Sequence, residues 1–184
     1  MNKPLKSLVL AGTAVTAGIY LWKQLQEKPE ENGRTFLEQY GPWTIVTGAA
    51  RAEGLGYGFA RQLAGRHINL VLVDILADEL HVRAEELARD YHVRVKPVVL
   101  DLGRADFLPE LTAVTEGLEI GLMVCNHMFT PKETPTILEM DLATHHAMLD
   151  VNARAYTTLV HEYGRQMVAQ GHGGILLVSS QGGL

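Results

Sequence analysis

Residues 44–66 read TIVTGAARAEGLGYGFARQLAGR. The apolar pair Ile45 and Val46 runs into a turn rich in glycine (Gly48, Gly54, Gly56 and Gly58). The turn opens directly into Phe59, Ala60, Leu63 and Ala64 at helical spacing. Glycine lets a chain bend sharply and lets an anion come close to the backbone. A strand, a glycine turn and a helix N-terminus together make a phosphate site. The first N–H groups of a helix have no partner within it, and the positive end of the helix dipole points the same way.

An isolated glycine-rich stretch is more often a flexible loop. Here the strand before, the helix after and an acid at the end of the next apolar run (Ile68, Leu70, Val71, Leu72, Val73, then Asp74) complete the pattern of a dinucleotide site. A carboxylate at that place can accept hydrogen bonds from an adenosine ribose.

The chain has 184 residues, enough for one domain with a sizeable core. A net charge of −5 gives no basic face for nucleic acid. A single cysteine, Cys125, allows no internal disulfide and fits a reducing compartment. No metal site is expected. His161-Glu162 does not continue to a second histidine, because Arg165 stands there, and His145-His146 has no partner at a ligand spacing.

Ser7 to Trp22 (SLVLAGTAVTAGIYLW) carries no charge and is flanked by Lys3, Lys6 and Lys23. As a helix its sixteen residues would cover about 24 Å, short of a ~30 Å hydrocarbon core. Snorkelling lysines and the Tyr20/Trp22 pair can make up the difference. A cleaved signal peptide is the rival reading, but no small-x-small cleavage site follows. The expected organisation is a membrane anchor helix at 1–26, a polar linker at 27–38 and a partial NAD(P)-binding domain at 39–184. The anchor would be single-pass, with the domain facing the cytosol.

From Trp43 onward strand and helix patterns alternate. Strands are expected at Trp43–Thr47, Asn69–Asp74, Val95–Leu100, Ile120–Asn126 and Gly174–Ser179. They are short and nearly continuous in apolar character, which suits a parallel sheet buried on both faces. The intervening helices carry stripes at Leu80, Ala84, Leu87, Ala88 and Tyr91, at Phe107, Leu108, Leu111 and Val114, and along one long helix from Met140 to Gln170. The expected fold class is α/β, a doubly wound parallel sheet of Rossmann type, which the family resemblance given below implies is incomplete at its C-terminal edge. Polar residues sit at successive strand ends: Asp101-Leu102, Asn126-His127 and Ser179-Ser180. Open α/β sheets bind ligands there. Asn152 is placed on the inward face of the long helix, one turn from Met148 and Tyr156. Singly, each of these reads as a cap, a satisfied amide or a turn.

In this order the residues resemble the short-chain dehydrogenase/reductase family, over roughly residues 39–184. Thr47-Gly48 through Gly54-Leu55-Gly56 looks like its TGxxxGxG cofactor turn. Asp101-Leu102 looks like its adenine-contacting acidic motif, and Met123-Val124-Cys125-Asn126 like the start of LVNNAG. Val151-Asn152 looks like the helix asparagine of its Asn-Ser-Tyr-Lys tetrad. Gly174 to Ser180 looks like the serine strand, with Ser180 the match to the catalytic serine. The lead-in Tyr40-Gly41-Pro42-Trp43 and the apolar N-terminus are similar to the membrane-bound 3-ketoacyl-CoA reductase and 17β-hydroxysteroid dehydrogenase branch.

The resemblance implies hydride transfer between a nicotinamide and a carbonyl or alcohol carbon of a lipophilic substrate, an acyl chain or a steroid. Gly48, Arg51, Gly54, Leu55, Gly56, Asp74, Asp101, Leu102 and Asn126 would bind the cofactor. Ser180 and Asn152 would serve catalysis. The expected cofactor is NAD, because the carboxylate of Asp74 repels a 2′-phosphate, with NADP the alternative through Arg51. A homo-oligomer is compatible with the sequence.

Three departures stand out. The cofactor turn carries two extra residues between Gly48 and Gly54. His127-Met128 stands where the family has Ala-Gly or Val-Gly, and larger side chains there are expected to crowd the nicotinamide ribose. The family's Tyr-x-x-x-Lys pair would fall beyond Leu184. The expectation is a fragment of a longer parent, or a truncated product, inactive by itself and exposing its fifth strand as an apolar edge. Two other classes compete: a non-catalytic tethered protein that binds dinucleotide or a partner, and a methyltransferase, which shares the glycine turn and the acid.

Overall fold

The computed structural model describes residues 35–133 and 136–179. Five strands form one parallel sheet: β1 (Trp43–Thr47), β2 (Asn69–Asp74), β3 (Val95–Val99), β4 (Ile120–Cys125) and β5 (Gly174–Leu177). Their order across the sheet is β3-β2-β1-β4-β5. The direction of winding reverses between β1 and β4, so the carboxyl ends of these two neighbours flank the switch point where such sheets bind ligands.

The apolar character of the strands is explained by burial on both faces. Along β1, Ile45 faces one core and Val46 the other. Along β2, Val71 and Val73 share the first core and Leu70 and Leu72 the second. Helices α2 (Leu55–Ala64) and α3 (Ala77–Tyr91) cover one face through Ala60, Leu63, Leu80 and Leu87. Helix α4 (Leu108–Thr115) and the later helix α6 (Ala155–Gln170) cover the other, through Phe107, Leu111, Leu159, Tyr163 and Met167. The buried hydroxyls of Tyr163 and Thr115 pair at 2.9 Å across this second core.

The expected strands are all present. β3, β4 and β5 stop one or two residues earlier than expected, although the Val178 amide still donates to the Cys125 carbonyl at 2.9 Å. Two features differ more. A short helix α1 (Phe36–Tyr40), capped reciprocally by Thr35 and Glu38, begins inside the expected linker and packs Tyr40 against Gly121. The long helix expected from Met140 is two helices, α5 (Leu142–Leu149) and α6, joined by a π-helical turn at Asp150–Arg154. The anchor expected at 1–26 lies outside the described residues. Among the described residues no helix is long and apolar enough to cross a membrane.

Candidate functional site

At the carboxyl ends of β1 and β4 lies a cleft of about 400 Å³. It is lined by seven of the residues singled out from sequence: Gly48, Arg51, Gly54, Asp74, Asp101, Leu102 and Asn126. Gly48 adopts φ +66°, a left-handed conformation that turns the chain off the end of β1. Gly56 lies behind it. A Cβ on Gly56 would collide with the Gly48 carbonyl and crowd the Asn126 amide, so only glycine lets α2 come this close to the strand end. The Asn126 side chain donates to that same Gly48 carbonyl at 3.0 Å, fixing the turn to the end of β4.

The two extra residues of the turn do not enter the cleft. Arg51 to Gly54 closes a tight turn through the Gly54 amide and the Arg51 carbonyl at 2.9 Å. Arg51, Ala52 and Glu53 are exposed, while Ala49 and Ala50 stay buried. Gly54 is then the N-cap of α2, so the helix N-terminus opens at the cleft as it would with the shorter turn. Leu55, the first helical residue, is half-buried beside the lining residues.

Asp74 is more tightly tied than sequence reasoning foresaw. One carboxylate oxygen accepts from the Ala50 amide at 2.9 Å. The other accepts from Ile75 and Leu76 at 2.8 and 3.1 Å. These bonds fix the carboxylate and leave one acceptor site, on the oxygen that takes the Ala50 amide, for a ligand hydroxyl. Asp101 is exposed and accepts from the Gly103 amide at 2.8 Å.

At the other end Asn152 is exposed, not inward-facing as expected, because the π-turn inserts a residue and shifts the helical phase. Its amide both accepts and donates. The oxygen accepts from the Phe129 amide at 2.8 Å and the nitrogen donates to the Phe129 carbonyl at 2.7 Å. The side chain thus clasps the segment leaving β4, while its neighbour Val151 lines the cleft with Met128 and Phe129. Ser180 lies outside the described residues, and Ser179 is exposed just past β5.

Beside the exposed Met128, the cleft is also lined by His127. Its side chain turns inward and is only 7% exposed. Nδ1 lies 2.7 Å from the Thr47 hydroxyl, and the ring stacks on Tyr156 at 4.2 Å between centroids. Burial pushes the imidazole down to about 4, weakly opposed by the nearby Val151 carbonyl. Tyr156 donates to the His127 carbonyl at 2.7 Å and reaches the Cys125 carbonyl at 3.3 Å. Burial raises the Tyr156 phenol and the Cys125 thiol to about 12 each, so both stay protonated at neutral pH.

The sequence reading placed Thr47 in the cofactor turn without a role for its hydroxyl, and it missed Arg154. Arg154 pairs with Asp150 at 2.9 Å and donates to the carbonyls of Gly103 and Arg104 at 2.6 and 3.1 Å, tying the π-turn to the Asp101 loop. The i,i+4 spacing of Asp150 and Arg154 was the available signal for the ion pair, though not for its reach to a loop some fifty residues away. Among the described residues no cluster of histidine, cysteine or carboxylate could hold a metal ion.

Comparisons with known proteins follow this geometry. Residues 48–184 match a family model of short-chain dehydrogenases described as "Enoyl-(Acyl carrier protein) reductase". Over 151 residues the chain is 33% identical to 7beta-hydroxysteroid dehydrogenase of Collinsella aerofaciens, covering 80% of this chain and 54% of that one. It is 29% identical to 17-beta-hydroxysteroid dehydrogenase type 3 of Rattus norvegicus, over 79% of this chain and 47% of that one. It is 32% identical to inactive hydroxysteroid dehydrogenase-like protein 1 of Homo sapiens, over 78% and 43%. The solved structure of a 7beta-hydroxysteroid dehydrogenase superposes with a TM-score of 0.76 at 31% identity, covering 82% of this chain and 56% of that one. A short-chain dehydrogenase from Sphingobium yanoikuyae in complex with NADPH superposes with a TM-score of 0.70 at 25% identity, over 76% and 54%. The chain therefore spans about half the length of the curated relatives it matches. With its parallel sheet, its glycine turn at the switch point and these relatives on the hydroxysteroid dehydrogenase branch, the chain belongs to the short-chain dehydrogenase/reductase family.

Proposed function

We propose that this chain carries the dinucleotide-binding half of an NAD(P)-dependent oxidoreductase acting on a carbonyl or alcohol of a lipophilic substrate, steroid-like or acyl. The observation that carries the reading is the cleft itself. One helix N-terminus opens onto it at the end of β1, the carboxylates of Asp74 and Asp101 line it at the ends of β2 and β3, and Met128 and Phe129 line it past the end of β4, with the apolar Val151 beside the Asp101 loop. That sequence of hydroxyl acceptors, anion site and apolar surface fits a dinucleotide laid from adenosine to nicotinamide.

Backbone N–H groups of the Gly48–Gly56 turn and of Leu55 would hold the pyrophosphate. Asp74 would take the adenosine ribose, Asp101 and Leu102 the adenine edge, and Asn126 the strand-end side. The bound nicotinamide would donate or accept the hydride. Asn152, by clasping Phe129, would hold the nicotinamide wall and the water path beside it. Ser180 would hydrogen-bond the substrate oxygen.

Asp74, fixed by three amides, disfavours a 2′-phosphate and favours NAD, while the exposed Arg51 guanidinium is the group that could instead accept NADPH. Titrating NADH and NADPH against the wild-type chain and Asp74→Ala tests this. NADH should weaken and NADPH should strengthen in the variant, whereas an unchanged preference sinks the assignment of Asp74. The apolar run Ser7 to Trp22 supports a membrane tether, and a nicotinamide cofactor, normally drawn from a cytosolic pool, favours the domain on the cytosolic side. Retention in the pellet after alkaline carbonate extraction is the expected result.

A second reading, a binding protein without turnover, is favoured by His127-Met128 in place of small residues and by the relative named as inactive. Dinucleotide binding with no oxidation or reduction of steroid or acyl ketones would select it.

A further inference from the structure

We propose that His127 is a positioning residue that brackets the two walls of the cleft. The proposal rests on the dinucleotide reading only for its consequence in binding. The bracket itself is a matter of geometry.

Thr47 ends β1, and the Gly48 turn springs from it. Its hydroxyl lies 2.9 Å from the Asn126 amide and 3.3 Å from the His127 amide, both of which can only donate. Those two donors fill the oxygen's lone pairs, and its proton has two acceptors in reach, the Val124 carbonyl at 3.3 Å and His127 Nδ1 at 2.7 Å, of which the shorter contact takes it. The ring is therefore the Nε2–H tautomer. Nε2 is buried and makes no hydrogen bond among the described residues. One flat side of the ring covers Tyr156, whose hydroxyl returns to the His127 carbonyl. Tyr156 belongs to α6, directly after the π-turn that carries Val151 and Asn152.

One side chain thus touches the strand that feeds the cofactor turn and the helix that carries the opposite wall. An alanine or valine at 127 could do neither, having no ring nitrogen and no aromatic face.

The test uses the full 184-residue chain and His127→Ala, His127→Asn and Thr47→Val. Hydrogen exchange followed by mass spectrometry is read first, because it needs no ligand. In His127→Ala the amides of the Gly48–Gly54 turn and of Asp150–Ala155 should exchange together about tenfold faster, while those of β2 and α3 keep their rates. His127→Asn, whose side-chain oxygen can still accept from Thr47, should rescue the turn but not the π-turn. Long-range nitrogen–proton correlation spectra should show the Nε2–H tautomer in the wild type and lose it in Thr47→Val. Acceleration confined to residues 126–129, or spread evenly over the chain, would overturn the bracket.

NADH titration is read second. His127→Ala should bind about tenfold more weakly, with His127→Asn between it and the wild type. Equal affinity in all three overturns the claim that the bracket serves the cofactor. Absence of binding by the wild type would instead refute the dinucleotide reading and leave the exchange result to decide the bracket.

Discussion

The two lips of the cleft are built by different means. The lip formed by Gly48 to Gly56 is backbone shaped by glycine. A positive φ at Gly48, a bare α-carbon at Gly56 and the N-terminus of α2 make its surface, and side chains do little there beyond Asn126. The opposite lip, from Asn126 to Phe129 with the π-turn, is made by side chains that grip backbone. Asn152 clasps Phe129, Tyr156 reaches two carbonyls, His127 takes the Thr47 hydroxyl and Arg154 holds the Asp101 loop. A backbone lip tolerates almost any side chain that points outward, as its exposed Arg51–Glu53 turn shows, but no added atom facing inward. A side-chain lip should lose its grips one at a time.

The sharpest way to break the comparison is Gly56→Val. Its Cβ would meet the Gly48 carbonyl, which is backbone and cannot rotate away. We expect a loss of about 3 kcal/mol or more of stability in chemical unfolding, together with loss of any dinucleotide binding. A variant that unfolds like the wild type would show that α2 can withdraw from the turn, and that the glycine is not what sets the lip.

The same contrast explains what could be read in advance. Glycine spacing, an acid at the end of β2 and continuous apolar strands are local signals; the sheet they predict is present, and seven of the residues they single out line the cleft. The π-turn was illegible because helical periodicity in Met140 to Gln170 persists on both sides of it. Ala155, Leu159, Tyr163 and Met167 keep the stripe, and one inserted residue merely rotates what precedes them. That rotation is why Asn152 was assigned to the wrong face. His127 was read as bulk at an exposed strand end. Its inward turn depends on Thr47 and Tyr156, which lie eighty residues before it and twenty-nine after it, beyond the reach of any local pattern.

On the side-chain lip the largest expected effect is one of pH. His127 is neutral in the fold, with a pKa near 4 against an ordinary 6.5, because burial disfavours the imidazolium. The unfolded chain binds the proton more readily. Stability is therefore fully present above about pH 6.5 and falls as the pH is lowered toward 4, by on the order of 3 kcal/mol across that window. Urea unfolding at pH 7 and pH 5 should show the fall in the wild type and a smaller one in His127→Asn. Equal slopes in both proteins would assign the acid sensitivity elsewhere. Core packing across the sheet should be indifferent to the same change in pH, since Tyr163 is held protonated by burial, at about 12. Tyr163→Phe, which removes its bond to Thr115, should cost about 1–2 kcal/mol at either pH.

The smallest expected effect is at Arg154, where the side-chain lip meets the adenosine end. The guanidinium is a third exposed and its Asp150 partner more so, so water screens the ion pair and it contributes little by itself. The two bonds to the Gly103 and Arg104 carbonyls have a different consequence, because they join segments about fifty residues apart. Arg154→Lys keeps the charge but has no planar fork to reach two carbonyls and the carboxylate together. We expect Arg154→Lys and Arg154→Ala to lose similar stability, about 1 kcal/mol, and both to loosen the Asp101 loop to proteolysis without changing exchange at the Gly48 turn. If lysine restores the wild-type behaviour, the ion pair and not the fork holds the loop. If the Gly48 turn loosens as well, the two lips are one mechanical unit.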